Sequence, residues 1–215
     1  APLPDPHHPK NACPAALQMQ IEVKALNQKL ADEAEQEAGG DGDNRRRYMP
    51  IAIGVGINSG MCHVGNMGSE QRFDYSALGD DVNLASRLEG QSKTYGVDII
   101  IGENTVRELD DDFAYIELDY IQVKGKTEPV RIYALMGETA YKDDPAFQKA
   151  RKTTDALLTA YRARQWDKAE KQANALKKAY DPLSGLADLY LARITEYRIA
   201  PPPDDWDGSY IATSK

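Results

Sequence analysis

The alternation of strand-like and helix-like segments constrains the fold of this chain more than any other feature of its sequence. From about residue 50 to residue 136, runs of β-branched and aromatic residues alternate with short segments of helical character. The clearest runs are "VDIIIG", "FAYIELDYIQV" and "VRIYALM". The turn-forming "KGKTEP" separates the last two runs and predicts a hairpin between them. Helices interleaved with partly antiparallel strands predict an α+β sandwich with helices over a sheet.

A long helix is predicted before this region. Apolar residues recur at spacings of three and four from Pro9 to about Ala38, and a glycine pair follows them. The next segment, "MPIAIGVGINSG", predicts a strand that enters a hairpin at Asn58-Ser59-Gly60, with "MCHVGNMGSEQRFDYSAL" as the returning strand. The first segment lacks the Gly-Lys-Ser/Thr ending of a P-loop and precedes a hairpin rather than a helix. Its glycines are therefore interpreted as positions of close strand packing and turns.

The character of the chain changes near Ala140. Two amphipathic helices are predicted, joined near Arg164-Gln165-Trp166, and a third runs from Leu183 to about Tyr197. The first two are weakly similar to a tetratricopeptide-type hairpin, but one unit does not establish a repeat. A helical cap or small docking module is the favoured interpretation, and the tail "APPPDDWDGSYIATSK" is predicted to be polyproline-like and then irregular.

Composition excludes some classes of partner. The net charge of −8 argues against nucleic-acid binding, which needs clustered Lys and Arg, and no apolar run is long enough to cross a bilayer. Two cysteines in unrelated contexts fit a reducing cytoplasm, so a cytoplasmic domain without membrane contact is expected. The opening "APLPDPHHP" has the character of an exit from an earlier strand. We therefore expect sequence upstream of Ala1, which could anchor the parent protein in a membrane.

The segment "DYSALGDDVNLASRLEG" contains the polar residues most suited to chemistry. A helix is predicted from Gly79 to about Glu89, closed by the glycine that follows. Asn83 and Arg87 are four positions apart and share one face of that helix, while Ser76 lies at the end of the preceding strand. A hydroxyl, an amide and a guanidinium at a strand–helix junction suit a nucleotide. The alternative is a helix with an acidic cap and polar surface residues, and the spacing by itself does not decide.

Three stretches together resemble the class III adenylate/guanylate cyclase catalytic domain: "IGVGINSGMCHVGNMGSEQRFDY", "SALGDDVNLASRLEG" and "VKGKTEPVRIY". The resemblance covers about residues 1–136, and its central G-x-x-V-N-x-A-S-R pattern is specific. It implies a ferredoxin-like nucleotide-cyclase sandwich over residues 1–138, here without its first strands. A helical hairpin extension (139–200) and an irregular Pro-rich tail (201–215) would follow. The tail also resembles bacterial members that carry an extracytoplasmic sensor and transmembrane helices upstream.

The resemblance implies a signalling reaction. In that family the ribose 3′-hydroxyl attacks the α-phosphorus of a nucleoside triphosphate, which yields a 3′,5′-cyclic nucleotide and pyrophosphate. Two Mg²⁺ or Mn²⁺ ions activate the hydroxyl and hold the phosphates. Carried onto this sequence, Asn83 would orient the ribose, Arg87 would stabilise charge at the transferring phosphorus, and Lys124 or Lys126 would meet the terminal phosphates. Two lysines in a tight turn are otherwise ordinary solvated residues.

Ser76 occupies the position that selects the base in the resembled family. Members that select adenine tend to carry Asp or Thr there, and members that select guanine tend to carry Cys. A serine hydroxyl is similar to that of Thr but can donate or accept a hydrogen bond. ATP is therefore the favoured substrate, with GTP as the alternative.

The metal-binding aspartates of the family lie upstream of the segment that matches Ala1, so no metal ligand is expected in this chain. Asp110-Asp111-Asp112 are predicted to be a solvated acidic turn. Asp80-Asp81 are predicted to be helix-cap acids, with Asp80 next to the site. The remaining candidate ligands and nucleophiles lack suitable partners at the required spacing; they are His7, His8, Cys13 and Cys62-His63.

The resemblance also implies a homodimer or heterodimer, with metals held by one chain and the Asn and Arg residues supplied by the other. This chain would then be half of a composite site and inactive alone. A catalytically dead, cyclase-like dimerisation module is the alternative. A third hypothesis is a helical scaffold that acts through residues 146–198.

Overall fold

A computed structural model describes residues 5–38, 49–69, 72–123, 126 and 128–212 of the chain. Its elements follow one another in the order α1 (His8–Ala38), β1 (Val55–Ile57), β2 (His63–Ser69), β3 (Arg72–Leu78), α2 (Asp80–Tyr95), β4 (Ile99–Gly102), α3 (Glu103–Glu108), β5 (Phe113–Gln122), β6 (Val130–Glu138), α4 (Thr139–Lys142), α5 (Pro145–Arg162), α6 (Trp166–Ala179), α7 (Ser184–Ile199) and β7 (Tyr210–Ile211). A short 3-10 turn at Asp181–Leu183 precedes α7.

The main sheet has five strands in the order β1-β4-β6-β5-β7. β1 runs parallel to β4 and β7 runs parallel to β5, whereas β6 is antiparallel to both β4 and β5. The predicted β5–β6 hairpin is confirmed, and the mixed sheet with its helices confirms the α+β fold class. Ile121 pairs with Val130 where the two strands approach their connecting turn.

The strand at "MPIAIGVGINSG" does not pair with the segment that follows it, so that part of the hairpin prediction was wrong. β1 pairs with β4, in the register Val55 opposite Ile99. β2 and β3 instead pair with each other as a separate two-stranded sheet, with His63 opposite Leu78. Periodicity identifies strands but not their partners, and pairing depends on contacts between distant segments.

The two faces of the main sheet carry different helices. Alternate residues of β4 point to opposite faces, so Ile99 and Ile101 pack with Cys13 and Ala16 of α1. Ile100 packs on the other face, in a larger core that includes α2 and the C-terminal helices. The whole β4 strand is therefore buried, as its continuous apolar sequence indicates.

The C-terminal helices pack on the sheet as part of this larger core. The cluster is continuous from Leu84 in α2, through Ile116 and Ile132 of the sheet, to Leu157 in α5 and Ile194 in α7. The three helices predicted after Ala140 are confirmed. Helix α5 is capped by Asp144, whose carboxylate accepts a hydrogen bond from the backbone amide of Ala146 at 2.7 Å. The division of the chain into separate domains stays a prediction.

The proline-rich tail returns to the body of the protein. Trp206 packs against three aromatic rings of the helices, those of Tyr161, Trp166 and Tyr197. Tyr210 and Ile211 then add a short strand to the sheet edge beside β5, within a tail that was expected to be irregular. Across the residues that the structure describes, no helix is both long and apolar enough to span a bilayer.

Candidate functional site

Helix α2 carries Asn83 and Arg87, and it is longer than predicted. The expected end at Gly90 was wrong, because the helix continues to Tyr95 and ends at Gly96, which adopts a left-handed conformation with φ of 66°. Glycine inside a helix costs only about 1 kcal/mol relative to alanine. The residues beyond Gly90 include Tyr95, which is 1% exposed, so burial of this last stretch outweighs that cost.

The glycines of "IGVGINSG" let α2 lie directly on β1. A Cβ added at Gly56 would overlap the backbone of Ala85 and Glu89, and one at Gly54 would lie 3.1 Å from the Cβ of Ser92. Any larger residue in these places would push the helix away from the strand. The interpretation of these glycines as positions of close packing is confirmed, and they fix how far α2 stands from the sheet.

The N-terminal end of α2 is held by side chains from two other segments. Asn58, just after β1, donates from Nδ2 to the Asp81 carboxylate at 3.0 Å and to the Asp81 carbonyl at 3.3 Å. Lys126, from the turn between β5 and β6, forms an ion pair with Asp80. Asp80 and Asp81 lie in the first turn of the helix, where negative charge is favoured, although neither side chain caps the helix by a hydrogen bond.

The predicted site residues lie on β3, on α2 and in the turn between β5 and β6. Asn83 lies one turn into the helix and is exposed, and its backbone amide donates to the Gly79 carbonyl at 3.1 Å. Arg87 follows one turn later and is half-buried. Ser76 lies near the end of β3, opposite Gly65, and only Ala77, Leu78 and Gly79 separate it from the helix. Lys126 contacts the N-terminal end of α2 through Asp80, whereas Lys124 falls outside the described residues.

Arg87 is one of four described residues with a buried polar side-chain atom that lacks a hydrogen-bond partner, the others being Asn58, Tyr161 and Arg193. In Arg87 the Nη1 atom is buried and has no hydrogen-bond partner among the residues that the structure describes. A buried charged donor without a partner is costly, so such a group is normally satisfied by a ligand, water or another chain. The Nη1 atom of Arg87 therefore needs an acceptor from outside the described residues.

Asp110, Asp111 and Cys13 lie apart from these residues, whereas Cys62 lies beside Gly79 at the start of α2, where a Cβ added to the glycine would be 3.2 Å from the Cys62 Cβ. Asp110 pairs with Lys10 and Asp111 pairs with Lys142. Cys13 is fully buried against the sheet, and this burial raises the pKa of its thiol to about 11. In the described part of the chain, no group of three or more His, Cys, Asp and Glu side chains could hold a metal ion. These residues therefore do not fit a divalent-cation site, and the expected location of the metal ligands upstream stays a prediction.

The β2–β3 hairpin exposes apolar side chains beside the site. Met61 is 90% exposed, Leu78 is 59% exposed and Tyr75 is 57% exposed. A two-stranded ribbon is only marginally stable by itself, and these exposed apolar side chains, on β3 and in the segment just before β2, are available to a partner. The hairpin leads directly into α2, so a partner bound to it would lie next to Asn83 and Arg87.

Sequence reasoning missed two sets of residues that support the site. Asn58 was assigned only to a turn, and its contact with Asp81 has no local sequence signal. Asp119, Tyr95 and Arg193 form a buried network at the opposite end of α2. An acid in the middle of the apolar strand "FAYIELDYIQV" was the one available signal, since a buried carboxylate requires partners.

The mixed sheet and the separate β2–β3 hairpin are an α+β arrangement in which the helix of Asn83 and Arg87 directly follows the hairpin. The family model of the adenylate and guanylate cyclase catalytic domain matches residues 3–137, and the chain therefore belongs to this family.

Individual relatives agree with this membership. The chain is 33% identical over 137 residues to adenylate cyclase 1 of Rhizobium meliloti, a match that covers 64% of this chain and 19% of that protein. It is 37% identical over 121 residues to an adenylate cyclase of Anabaena cylindrica, covering 55% of this chain and 23% of the relative. The chain thus matches less than a quarter of the length of either curated relative.

A solved structure supports the fold. The crystal structure of the guanylyl cyclase Cya2 is similar with a TM-score of 0.52 and 28% sequence identity, over 66% of this chain and 65% of that one. The similarity thus includes cyclases named for either purine nucleotide.

Proposed function

We propose that this chain is part of a nucleotide cyclase that converts ATP to 3′,5′-cyclic AMP and pyrophosphate in intracellular signalling. In this proposal the chain supplies the base, ribose and phosphate contacts of one half of a dimeric site. The observation that carries the proposal is the buried, unpartnered Nη1 atom of Arg87, on a helix that begins just after Ser76.

The reaction requires stabilisation of negative charge at the phosphorus that is attacked. Arg87 offers a guanidinium whose Nη1 lacks a protein acceptor in the described chain, and whose helix is seated on β1 by glycine contacts. Such a preorganised donor needs no reorganisation when charge develops, which makes it effective in the transition state. Asn83, one turn earlier on the same face, would orient the ribose hydroxyls.

The terminal phosphates are assigned to the turn between β5 and β6. Lys126 is 20% exposed, and its ammonium group pairs with Asp80 at the start of α2. Because Asp80 is 69% exposed, this pair is weak and an incoming triphosphate can compete for the lysine. Lys124 of the same turn is the second proposed contact, as the family resemblance implies.

Ser76 is the proposed base-selecting residue. The Ser76 hydroxyl can donate a hydrogen bond to a purine edge or accept one from it. Adenine is the favoured base because serine is chemically similar to threonine. The adenylate cyclases among the relatives support this choice, whereas the guanylyl cyclase Cya2 keeps GTP as the alternative.

A partner chain completes the proposed site. The exposed apolar residues of the β2–β3 hairpin support a dimer with a second cyclase domain, identical or different. Two Mg²⁺ or Mn²⁺ ions would bind to acids of that partner and supply the charge that holds the triphosphate. The chain alone is then expected to have negligible activity. A catalytically dead, dimerising module is the second candidate.

The test is complementation between two defective halves. The partner is a full-length relative that keeps its metal-binding acids but has lost its own Asn and Arg by substitution. Cyclase activity is measured with Mn²⁺ and either ATP or GTP, for each chain alone and for the mixture. We expect activity only in the mixture, and a decrease of about 10²–10³-fold when this chain carries Arg87→Ala.

Arg107→Ala is the matched control, because Arg107 lies on the surface of α3 and, among the described residues, pairs with Glu103 of its own helix. It should leave the activity of the mixture unchanged. Robust activity of this chain alone would refute the proposal that it supplies only one half of a dimeric site. A mixture that associates in sedimentation experiments but stays inactive would favour the regulatory module.

A further inference from the structure

A buried ion pair joins the C-terminal helix α7 to strand β5 of the main sheet. Arg193 of α7 and Asp119 of β5 have side chains that are 3% and 1% exposed, and Nη1 of the arginine lies 2.5 Å from Oδ2 of the aspartate. The family model matches only residues 3–137, so Arg193 lies outside the matched region while Asp119 lies within it. The pair thus connects the cyclase domain to an extension that the family model does not include.

The last turn of α2 is the third member of this network. The Tyr95 hydroxyl donates to the same Oδ2 atom of Asp119 at 2.7 Å, and Nη2 of Arg193 donates to the tyrosine oxygen at 3.3 Å. Burial, reinforced by the charge of Asp119, raises the pKa of Tyr95 well above its usual value, so the hydroxyl remains a donor. Just beyond, a Cβ at Gly185 would lie 3.1 Å from the Cα of Gly96, so the two helix ends touch through their backbones.

Arg193 also contacts the returning tail. Its guanidinium carbon lies 3.5 Å from the centre of the Tyr210 ring, within the range of a cation–π contact. The strand that contains Tyr210 continues the pairing with β5, where the Ala212 amide donates to the Gln122 carbonyl at 3.0 Å. The Gln122 side chain in turn donates to the Lys126 carbonyl at 2.9 Å, in the turn assigned to the terminal phosphates.

These contacts give Arg193 a position between two parts of the proposed site. One branch runs through Tyr95 to α2, which carries Asn83 and Arg87. The other runs through Asp119 and the tail to β5 and the turn of Lys126. A buried ion pair is poor evidence for added stability, because apolar residues of the same volume often do as well. A planar guanidinium with fixed donor directions does, however, define the relative geometry of the groups it binds.

We propose that Arg193 is a positioning residue that fixes the C-terminal end of α2 against β5, and so sets the helix of Asn83 and Arg87 relative to the Lys126 turn. Its effect on catalysis rests on the proposed function. Its effect on the order of α2 does not.

The test compares two variants that each lose one buried hydroxyl. Tyr95→Phe removes the donor from α2 to Asp119. Tyr190→Phe is the matched control, because the Tyr190 hydroxyl is equally buried beside Arg193 but joins α7 to the Leu118 carbonyl, at 2.9 Å, without involving α2. Amide hydrogen exchange of the complete chain reports on α2, and complementation with the defective partner reports on catalysis.

We expect Tyr95→Phe to increase exchange in the last turns of α2 by about tenfold, the effect of removing one buried hydrogen bond. The kcat of the mixture should fall by a similar factor, with KM for the nucleotide nearly unchanged, because the substitution displaces the helix and removes no group that touches the nucleotide. Tyr190→Phe should affect unfolding but neither the exchange of α2 nor kcat. Arg193→Lys keeps the positive charge but removes the planar guanidinium with its fixed donor directions, so it should behave like Tyr95→Phe.

The outcomes separate this inference from the proposed function. Equal effects of Tyr95→Phe and Tyr190→Phe on α2 exchange would overturn the positioning role, since a general loss of stability would then explain both. In one outcome, Tyr95→Phe, unlike Tyr190→Phe, increases amide exchange in α2 while the mixture of the unsubstituted chain with its partner has no cyclase activity. That result would uphold the positioning role and refute the cyclase proposal. Selective exchange with an unchanged kcat would show that the position of α2 does not limit the reaction, and would overturn the catalytic part.

Discussion

The Asn58 carboxamide donates to the Asp81 carboxylate across 3.0 Å, and so attaches the loop after β1 to the first turn of the helix that carries Asn83 and Arg87. This contact acts at the opposite end of α2 from the Tyr95–Asp119 hydrogen bond. With the glycine contacts along β1 between them, the two hydrogen bonds hold the helix at both ends.

Replacing Asn58 should destabilise the protein. Asn58→Ala removes two hydrogen bonds to Asp81 and is expected to lower the free energy of unfolding by about 1–3 kcal/mol. Urea denaturation measures the change. Asn174→Ala is the control, since Asn174 is exposed on α6 and its side chain donates to the Glu170 carbonyl of its own helix. Equal midpoints for both variants would show that the Asn58 contact does not stabilise α2.

Lys126 should contribute to nucleotide binding more than to stability. The proposed contact with the terminal phosphates predicts that Lys126→Met raises KM for ATP by about tenfold in the complementation assay, because the triphosphate then lacks one charge-assisted hydrogen bond. Lys142→Met is the matched control, since Lys142 is similarly buried and pairs with an aspartate, Asp111, away from α2. If the two substitutions raise KM equally, the assignment of Lys126 is refuted.

The identity of residue 76 should affect the choice of base. Ser76→Cys replaces a hydroxyl that can donate to or accept from the purine with a weaker hydrogen-bonding group, so the ratio of kcat/KM for ATP over GTP should fall. Competition between the two nucleotides in one complementation reaction measures this ratio directly. Ser86→Cys, on the exposed surface of α2, introduces the same group away from β3 and should leave the ratio unchanged. An unchanged ratio in Ser76→Cys would exclude this residue from base selection.

The two cysteines should differ in reactivity and in their effect on stability. Cys62 is exposed and should react with iodoacetamide at a pH of about 8, whereas Cys13 is buried and should react only on unfolding. Burial raises the pKa of Cys13 from 9.0 to about 11, so the unfolded chain loses this proton at a lower pH than the folded chain.

The contribution of Cys13 to the free energy of unfolding is therefore complete below pH 9.0, and it decreases as the pH rises towards about 11. Urea denaturation at a pH of about 8 and again at about 10 measures the decrease, which should be smaller in Cys13→Ala. Rapid labelling of both thiols in the native protein would contradict the burial of Cys13.

Local rules predicted the elements of the fold more successfully than their limits and partners. Asn83 and Arg87 lie on one helix as expected, because an i, i+4 relation depends only on helical geometry. The end of that helix was misplaced at Gly90, since the weak preference of glycine for helix ends is overcome by burial of Tyr95. The pairing of β1 was misassigned because its partner, β4, lies beyond a whole helix in sequence.

The α+β class, the position of the long first helix, the cyclase-family resemblance and the order of Ser76 on a strand before the helix of Asn83 and Arg87 are all readable from the residues alone. These features follow from short-range periodicity and from a motif of defined spacing. The contacts at the two ends of α2, made by Asn58 at one end and by Arg193 and Asp119 at the other, exist only in the folded chain. A buried polar contact depends on which distant segments exclude water together, and no local pattern of residues encodes that choice.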